Sequence, residues 1–174
     1  MLRYNPKTGQ RHLDELIWGL LPHDTQEPDT ALRPINARAE TVATHPLFAS
    51  AFLDRRAIIL ISIYYQRRQT GGSKEVLEVS RKDGEPMAVA SLWEGFRRPD
   101  GAITRTYCII TTEANSVISL IHDRMQLVLE KADWPLWLGE VPGDPSLLLR
   151  PGAPEILQCK PASNGRRKSQ RRLF

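Results

Sequence analysis

The sequence comprises 174 residues, 41% hydrophobic and 25% charged, with a formal net charge of +4 and a pI near 9.3. That is enough chain for one globular domain with its own core, and the basic balance permits a polyanionic partner without demanding one. Two isolated cysteines, Cys108 and Cys159, exclude a disulfide framework and a cysteine metal cluster, no uncharged apolar run reaches membrane-spanning length, and the first ten residues lack the apolar stretch of a signal peptide, so a cytoplasmic protein is expected.

In chain order, residues 1–4 read as a strand and Asn5-Pro6-Lys7-Thr8-Gly9 as the turn of a hairpin. Residues 16–21 (LIWGLL) form a short apolar strand, and the proline-bearing stretch 22–34 a loop. Thr44 is placed to cap a helix with Pro46 in its first turn, and Leu47, Phe48, Ala51 and Phe52 recur at helical spacing, facing a core. Residues 57–65 (AIILISIYY), rich in β-branched side chains, predict one buried strand, followed by a hairpin loop over 66–74 around Gly71-Gly72 and a return strand at 76–80. Turns at 82–85 and 99–101 separate two further strands, 87–93 and 104–112. Cys108, in the middle of the second, is expected to be an inert core thiol.

A short helix is expected over 113–120, a second from Asp133-Trp134-Pro135 to Gly139, a helical turn within 142–154, and a last strand at 156–159. Strands joined by hairpins predominate, which predicts an α+β domain of antiparallel strands curled into a barrel with a few short helices. The domain is drawn over residues 1–161, and Arg166, Arg167, Lys168, Arg171 and Arg172 mark 162–174 as a basic, disordered tail able to add salt-sensitive attraction to nucleic acid.

One triplet resists a purely packing account. His122-Asp123-Arg124 lies between apolar runs, and taken alone reads as a surface turn at the edge of a core. It does not stand alone. Trp18-Gly19-Leu20-Leu21-Pro22, Ile35-Asn36-Ala37-Arg38-Ala39-Glu40-Thr41, Leu92-Trp93-Glu94-Gly95 and Ile121-His122-Asp123-Arg124-Met125, in that order, resemble the SOS response-associated peptidase (SRAP) family of abasic-site-processing proteins. The resemblance runs from about Asn5 to about Pro161. It implies an SRAP-type barrel, single-stranded DNA with abasic sites as partner, no cofactor or metal, no membrane, a monomer, and nucleoid association when bound to DNA.

In the family, the sugar aldehyde is captured by an N-terminal cysteine through a Schiff base that closes to a thiazolidine. The resemblance then gives Asn36 the task of positioning amine and sugar hydroxyl, and His122 that of supplying a proton, which suits an imidazole. It gives Arg38 and Arg124 phosphates on either side of the lesion, since a guanidinium forks two oxygens. Trp18 is left open between stacking on bases and filling the barrel, while Trp93 reads as core packing.

Two departures touch the chemistry. Leu2 follows Met1 where the family has Cys, so the start is expected to lie inside the family domain, with the nucleophile missing. Tyr64-Tyr65-Gln66-Arg67 stands where the family reads Phe-Tyr-Glu-Trp, so Gln66 replaces the carboxylate that moves protons; an amide cannot titrate, and losing such a group costs about 10²–10⁴ in rate. Arg67, in the aromatic's place, could stack or bind phosphate, or be a solvated surface arginine. Three readings stand: an SRAP enzyme with crosslinking, lyase and self-processing peptidase activity; a non-catalytic single-stranded DNA-binding module; and the product of a degenerate or mis-called gene. The chain as given is expected not to crosslink.

Overall fold

The structure is a computed structural model that describes residues 1–70 and 73–162. In chain order it forms β1 (Leu2–Asn5), β2 (Gln10–Leu13), β3 (Ile17–Trp18), β4 (Asn36–Arg38), α1 (Ala49–Asp54), β5 (Arg56–Ile61), β6 (Tyr64–Thr70), β7 (Ser73–Arg81), β8 (Met87–Arg97), β9 (Ile103–Glu113), β10 (Arg124–Gln126), β11 (Val128–Leu129), α2 (Trp134–Leu138) and β12 (Leu157–Pro161). Single turns of 3₁₀ helix fill the connections.

The α+β expectation holds: a mostly antiparallel sheet curls into a half-barrel with a few short helices. The main sheet runs β10-β9-β8-β5-β1-β2, and a second, β12-β7-β6, packs against it. β8 and β9 form its spine, paired from Ser91↔Ile109 to Arg97↔Ile103. Beyond Ser91 they part, and the β10–β11 segment fills the gap. β10 pairs with β9, β11 pairs with β8, and between them Leu127 donates to the Ile110 carbonyl and accepts from the Ala90 N–H. Two apolar clusters lie on either side of this spine. Ala88, Ala90, Leu92, Cys108 and Ile110 pack with Phe52 and Trp137; Met87 and Val89 pack with Tyr64, Val79 and Leu157 of the second sheet. Both faces of β8 are buried over Met87–Leu92, which is why its first half is almost wholly apolar.

Several boundaries move. Residues 57–65 are not one strand: the chain breaks at Ser62-Ile63, leaving β5 in the main sheet and β6 in the second. An aliphatic run satisfies both sheets, so composition does not mark the crossing. Gln66 and Arg67 therefore lie on β6, paired with Leu77 and Val76, not in a hairpin loop; the turn at Gly71-Gly72 falls outside the described residues. The strand over 16–21 shrinks to Ile17–Trp18, because Gly19 takes φ +109° and the chain then dives into the core at Leu20 and Leu21. α1 starts at Ala49, with Thr44 in the turns before it, although Phe48, Ala51 and Phe52 face the core as their spacing predicts. The helix expected over 113–120 is a single 3₁₀ turn, Ile118–Leu120, because Glu113 still belongs to β9. α2 ends at Gly139, whose φ of +78° gives the left-handed cap read from sequence. Cys108 is fully buried, and burial pushes its thiol up to about 12, so it is inert. The tail residues 163–174 lie outside the described residues.

Candidate functional site

The motif residues converge on β9. β3 and β4 run parallel to it, with Trp18 opposite Tyr107, Asn36 opposite Ile109 and Arg38 opposite Thr111. Partners across a ladder share a face, and side chains alternate along a strand. In β4 this buries Ala37 and exposes Asn36 and Arg38 side by side. Neither the Asn36 amide nor the Arg38 guanidinium has a side-chain hydrogen-bond partner among the described residues. A polar amide and a free cation therefore project together from a strand anchored by Ala37, which is 1% exposed.

The second half of the site comes from the wedge. Arg124, first residue of β10, sits opposite Glu113, and its side chain reaches across β9. Nη2 donates to the Thr111 carbonyl at 2.7 Å, and Nη1 and Nη2 fork the two Glu40 oxygens at 2.6 and 2.9 Å. The ion pair joins the last acid of the Asn36–Glu40 motif to the His122–Arg124 motif over the strand between them. Glu40's carboxyl is held below its ordinary range, chiefly by the hydrogen bond from Arg124, against partial burial. Arg124 is thus a buckle in the resting protein, its Nη groups already occupied, whereas Arg38 is the uncommitted cation.

His122 is fixed by its own turn. Its Nδ1 lies 2.9 Å from the Arg124 N–H, from which it accepts in the tautomer that carries the ring proton on Nε2. The same Nδ1 is 3.1 Å from the Arg124 carbonyl and 3.0 Å from an Asp123 oxygen. The ring is about one-third exposed (38%), and Nε2 has no protein partner among the described residues. The site therefore presents an N–H donor on one side of β9 and an amide and a guanidinium on the other. Asp123 serves as the turn residue that orients the ring.

The other residues singled out from sequence distribute differently. Trp18 is 51% exposed, stacks on Tyr107 with centroids 6.4 Å apart, and is held by a 3.0 Å bond from Nε1 to the Ile35 carbonyl. Trp93 carries the Arg3 guanidinium over its ring at 4.2 Å, which is packing. Glu94 is 2% exposed and bonded to Arg55 at 2.9 Å and His23 at 3.3 Å, a latch between β8, α1 and the loop after β3. Gln66 is half-buried and alternates with Tyr64, so it shares the inward face of the second sheet; Arg67 faces outward. No hydrogen bond joins Gln66 to Asn36 or His122 among the described residues. Glu40, Thr111 and Tyr107 were not identified from sequence as parts of the site. Glu40 lies within the Ile35–Thr41 motif, and Tyr107 and Thr111 lie within the run Arg105–Asn115, which also resembles the family; β-sheet register is what brings these two to the site. No cluster of metal-binding side chains occurs among the described residues.

Comparison with known proteins follows the same lines. Residues 1–165 match the family model described as SOS response associated peptidase (SRAP). The abasic site processing protein YoqW of Bacillus subtilis is 33% identical over 137 residues, covering 78% of this chain and 61% of YoqW. The abasic site processing protein YedK of Escherichia coli is 32% identical over 128 residues, covering 73% of this chain and 55% of YedK. The chain thus spans a little over half the length of these relatives. A crystal structure of a Bacteroides thetaiotaomicron protein superposes with a TM-score of 0.79 at 26% identity, over 84% of this chain and 68% of that one.

Proposed function

Because the chain belongs to the SRAP family, whose curated members are abasic site processing proteins, we propose that its β4–β9–β10 face binds single-stranded DNA at an abasic site. The observation that carries this is the register: Asn36 and Arg38 project exposed, without a side-chain hydrogen-bond partner among the described residues, along one edge of β9, while the His122 turn, tied down through Arg124 and Glu40, lies along its other edge. Arg38 takes a phosphate, Asn36 hydrogen-bonds the sugar hydroxyl, and His122 donates from Nε2 to the sugar oxygen exposed where the base is missing. Arg124 positions His122 and becomes a phosphate ligand only by exchanging Glu40 for it. Gln66 and Arg67 lie on opposite faces of β6 in the second sheet, and this reading gives neither of them a contact with the bound strand.

The reading for these 174 residues is recognition without covalent capture. Burial holds the Cys108 thiol at about 12, burial also raises that of Cys159, and the Gln66 amide cannot shuttle a proton. The test is binding of a short oligonucleotide with one central tetrahydrofuran abasic analogue against the intact oligonucleotide of equal length. The account expects tighter binding of the lesion strand, a slope of log affinity against log salt that falls by about 1 in Arg38→Ala, and no heat-stable adduct with a natural abasic strand. Equal affinity for both strands would remove the abasic-site assignment. A heat-stable adduct would show that the chain carries a nucleophile this reading does not contain.

A further inference from the structure

The exposed face of β9 continues past the residues of the proposed site. By alternation, Arg105, Tyr107, Ile109, Thr111 and Glu113 point to one side, and Thr106, Cys108, Ile110 and Thr112 are buried on the other. Ile109 is packed against the cluster beneath the second sheet, so the face is covered there. One step further, at Tyr107, it is open. Tyr107 is flanked by Trp18 on β3 and Trp93 on β8, which makes an aromatic row across three adjacent strands.

The two ends of that row differ. Trp93 is closed by Arg3, itself 8% exposed and bonded to Asp14 at 2.6 Å. Trp18 and Tyr107 lie almost parallel, 10° between ring planes, and Trp18 keeps half its surface in solvent because its Nε1 is held by the Ile35 carbonyl. Arg105, two residues from Tyr107 on the same face, is exposed and has no side-chain partner among the described residues. Its strand partner is Gly95, two residues beyond Trp93 on β8, which places it beyond the Trp93–Tyr107 pairing along the same two strands. A rigid, half-exposed aromatic pair between free guanidiniums, Arg105 on one side and Arg38 on the other, is the arrangement that holds unpaired bases: π-faces for the bases, cations for the backbone. Tyr107 is two residues from Ile109, the partner of Asn36, so the pair lies ~7 Å along β9 from the abasic-site residues.

We propose that Trp18 and Tyr107 form a stacking platform for a nucleobase next to the lesion, with Arg105 on the phosphate beyond it and the Arg3–Trp93 contact marking where the platform ends. This rests on the DNA-binding reading above and extends it to residues that give the strand a base-dependent grip.

The test compares two single strands of equal length and charge. One has thymines on both sides of a central tetrahydrofuran, and the other is built of tetrahydrofuran units throughout. The wild-type chain should bind the base-containing strand roughly 5- to 100-fold more tightly, the range for one stacked base. Trp18→Val and Tyr107→Val should remove most of that preference with the salt slope unchanged, and Tyr107→Phe should keep it. Arg105→Ala should lower the salt slope by about 1 and leave the preference intact. Thermal unfolding identifies a variant that has lost its fold; Trp18→Val, at an exposed position, carries the test if Tyr107→Val does not fold. A wild-type chain that binds both strands equally, or a preference that survives in Trp18→Val, would overturn the platform while leaving abasic-site binding through Arg38 in place. A chain that binds neither strand would overturn both.

Discussion

Arg38 and Arg124 are two arginines in two family motifs, and their surroundings give them different work. Arg38 makes no side-chain hydrogen bond or ion pair among the described residues, so truncating it should leave thermal stability within about 0.5 kcal/mol while weakening DNA binding. Arg124 holds Glu40 and the Thr111 carbonyl, so Arg124→Ala should cost about 1–2 kcal/mol in chemical denaturation. The sign with pH follows from Glu40. Arg124's hydrogen bond depresses its carboxyl, so the pair's stabilisation is present above the unfolded value of 4.5 and is lost as pH falls through the lower folded value. The stability gap between wild type and Arg124→Ala should therefore narrow as pH falls through and below 4.5. A constant gap would mean that Arg124 acts through packing alone. His122 separates in a similar way. Asn at 122 can still accept the Arg124 N–H through its side-chain oxygen but lacks the distal Nε2 donor. His122→Asn should keep the wild-type melting temperature and lose lesion preference, whereas His122→Ala should lose both.

At the scale of elements, the wedge between β8 and β9 sets the site. Leu127 bridges the parted strands and is fully buried. Leu127→Ala should cost about 2–5 kcal/mol by cavity formation, and should also loosen the Arg124–Glu40 pair that the wedge aligns. At the other end of the core, Arg56 donates to the Trp137, Phe52 and Leu53 carbonyls and so ties the end of α1 to the end of α2. Gly139 completes that junction with φ +78°, and a Cβ there would meet Arg56 Nη2 at 3.2 Å. Gly139→Ala should destabilise by about 1–2 kcal/mol, read as an earlier denaturation midpoint. Residues such as Gly139 were legible from sequence because cap chemistry is local. The hairpin of β1 and β2, the turns at 82–85 and 99–101, and the strands β8 and β9 were legible for the same reason. The break at Ser62-Ile63 was not, because an all-aliphatic run fits a strand in either sheet. Nor was the strand character of Gln66, since polar side chains on an exposed hairpin arm resemble those of a loop.

Across the whole molecule, the motifs pointed to the family and the sheet register turned them into a surface. Asn36, Arg38, His122 and Arg124 were legible as site candidates because their types and order match a pattern. Glu40 as Arg124's partner and Tyr107 as Trp18's were not, because each pairing crosses a strand that sequence spacing does not bring near. The result is a half-barrel with a polar and aromatic strip along β9 in two open stretches, Arg105 to Tyr107 on β9 and Asn36 to Arg38 beside it, separated by the covered Ile109.

Amide hydrogen exchange, with and without a single strand carrying a tetrahydrofuran lesion, tests that strip most directly. Protection should rise at residues 17–18, 35–38, 105–111 and 122–126 and stay unchanged at the hairpin turn 99–101 and in α2. Protection confined to other parts of the chain, with the β3 and β4 amides exchanging as in the free protein, would contradict the account.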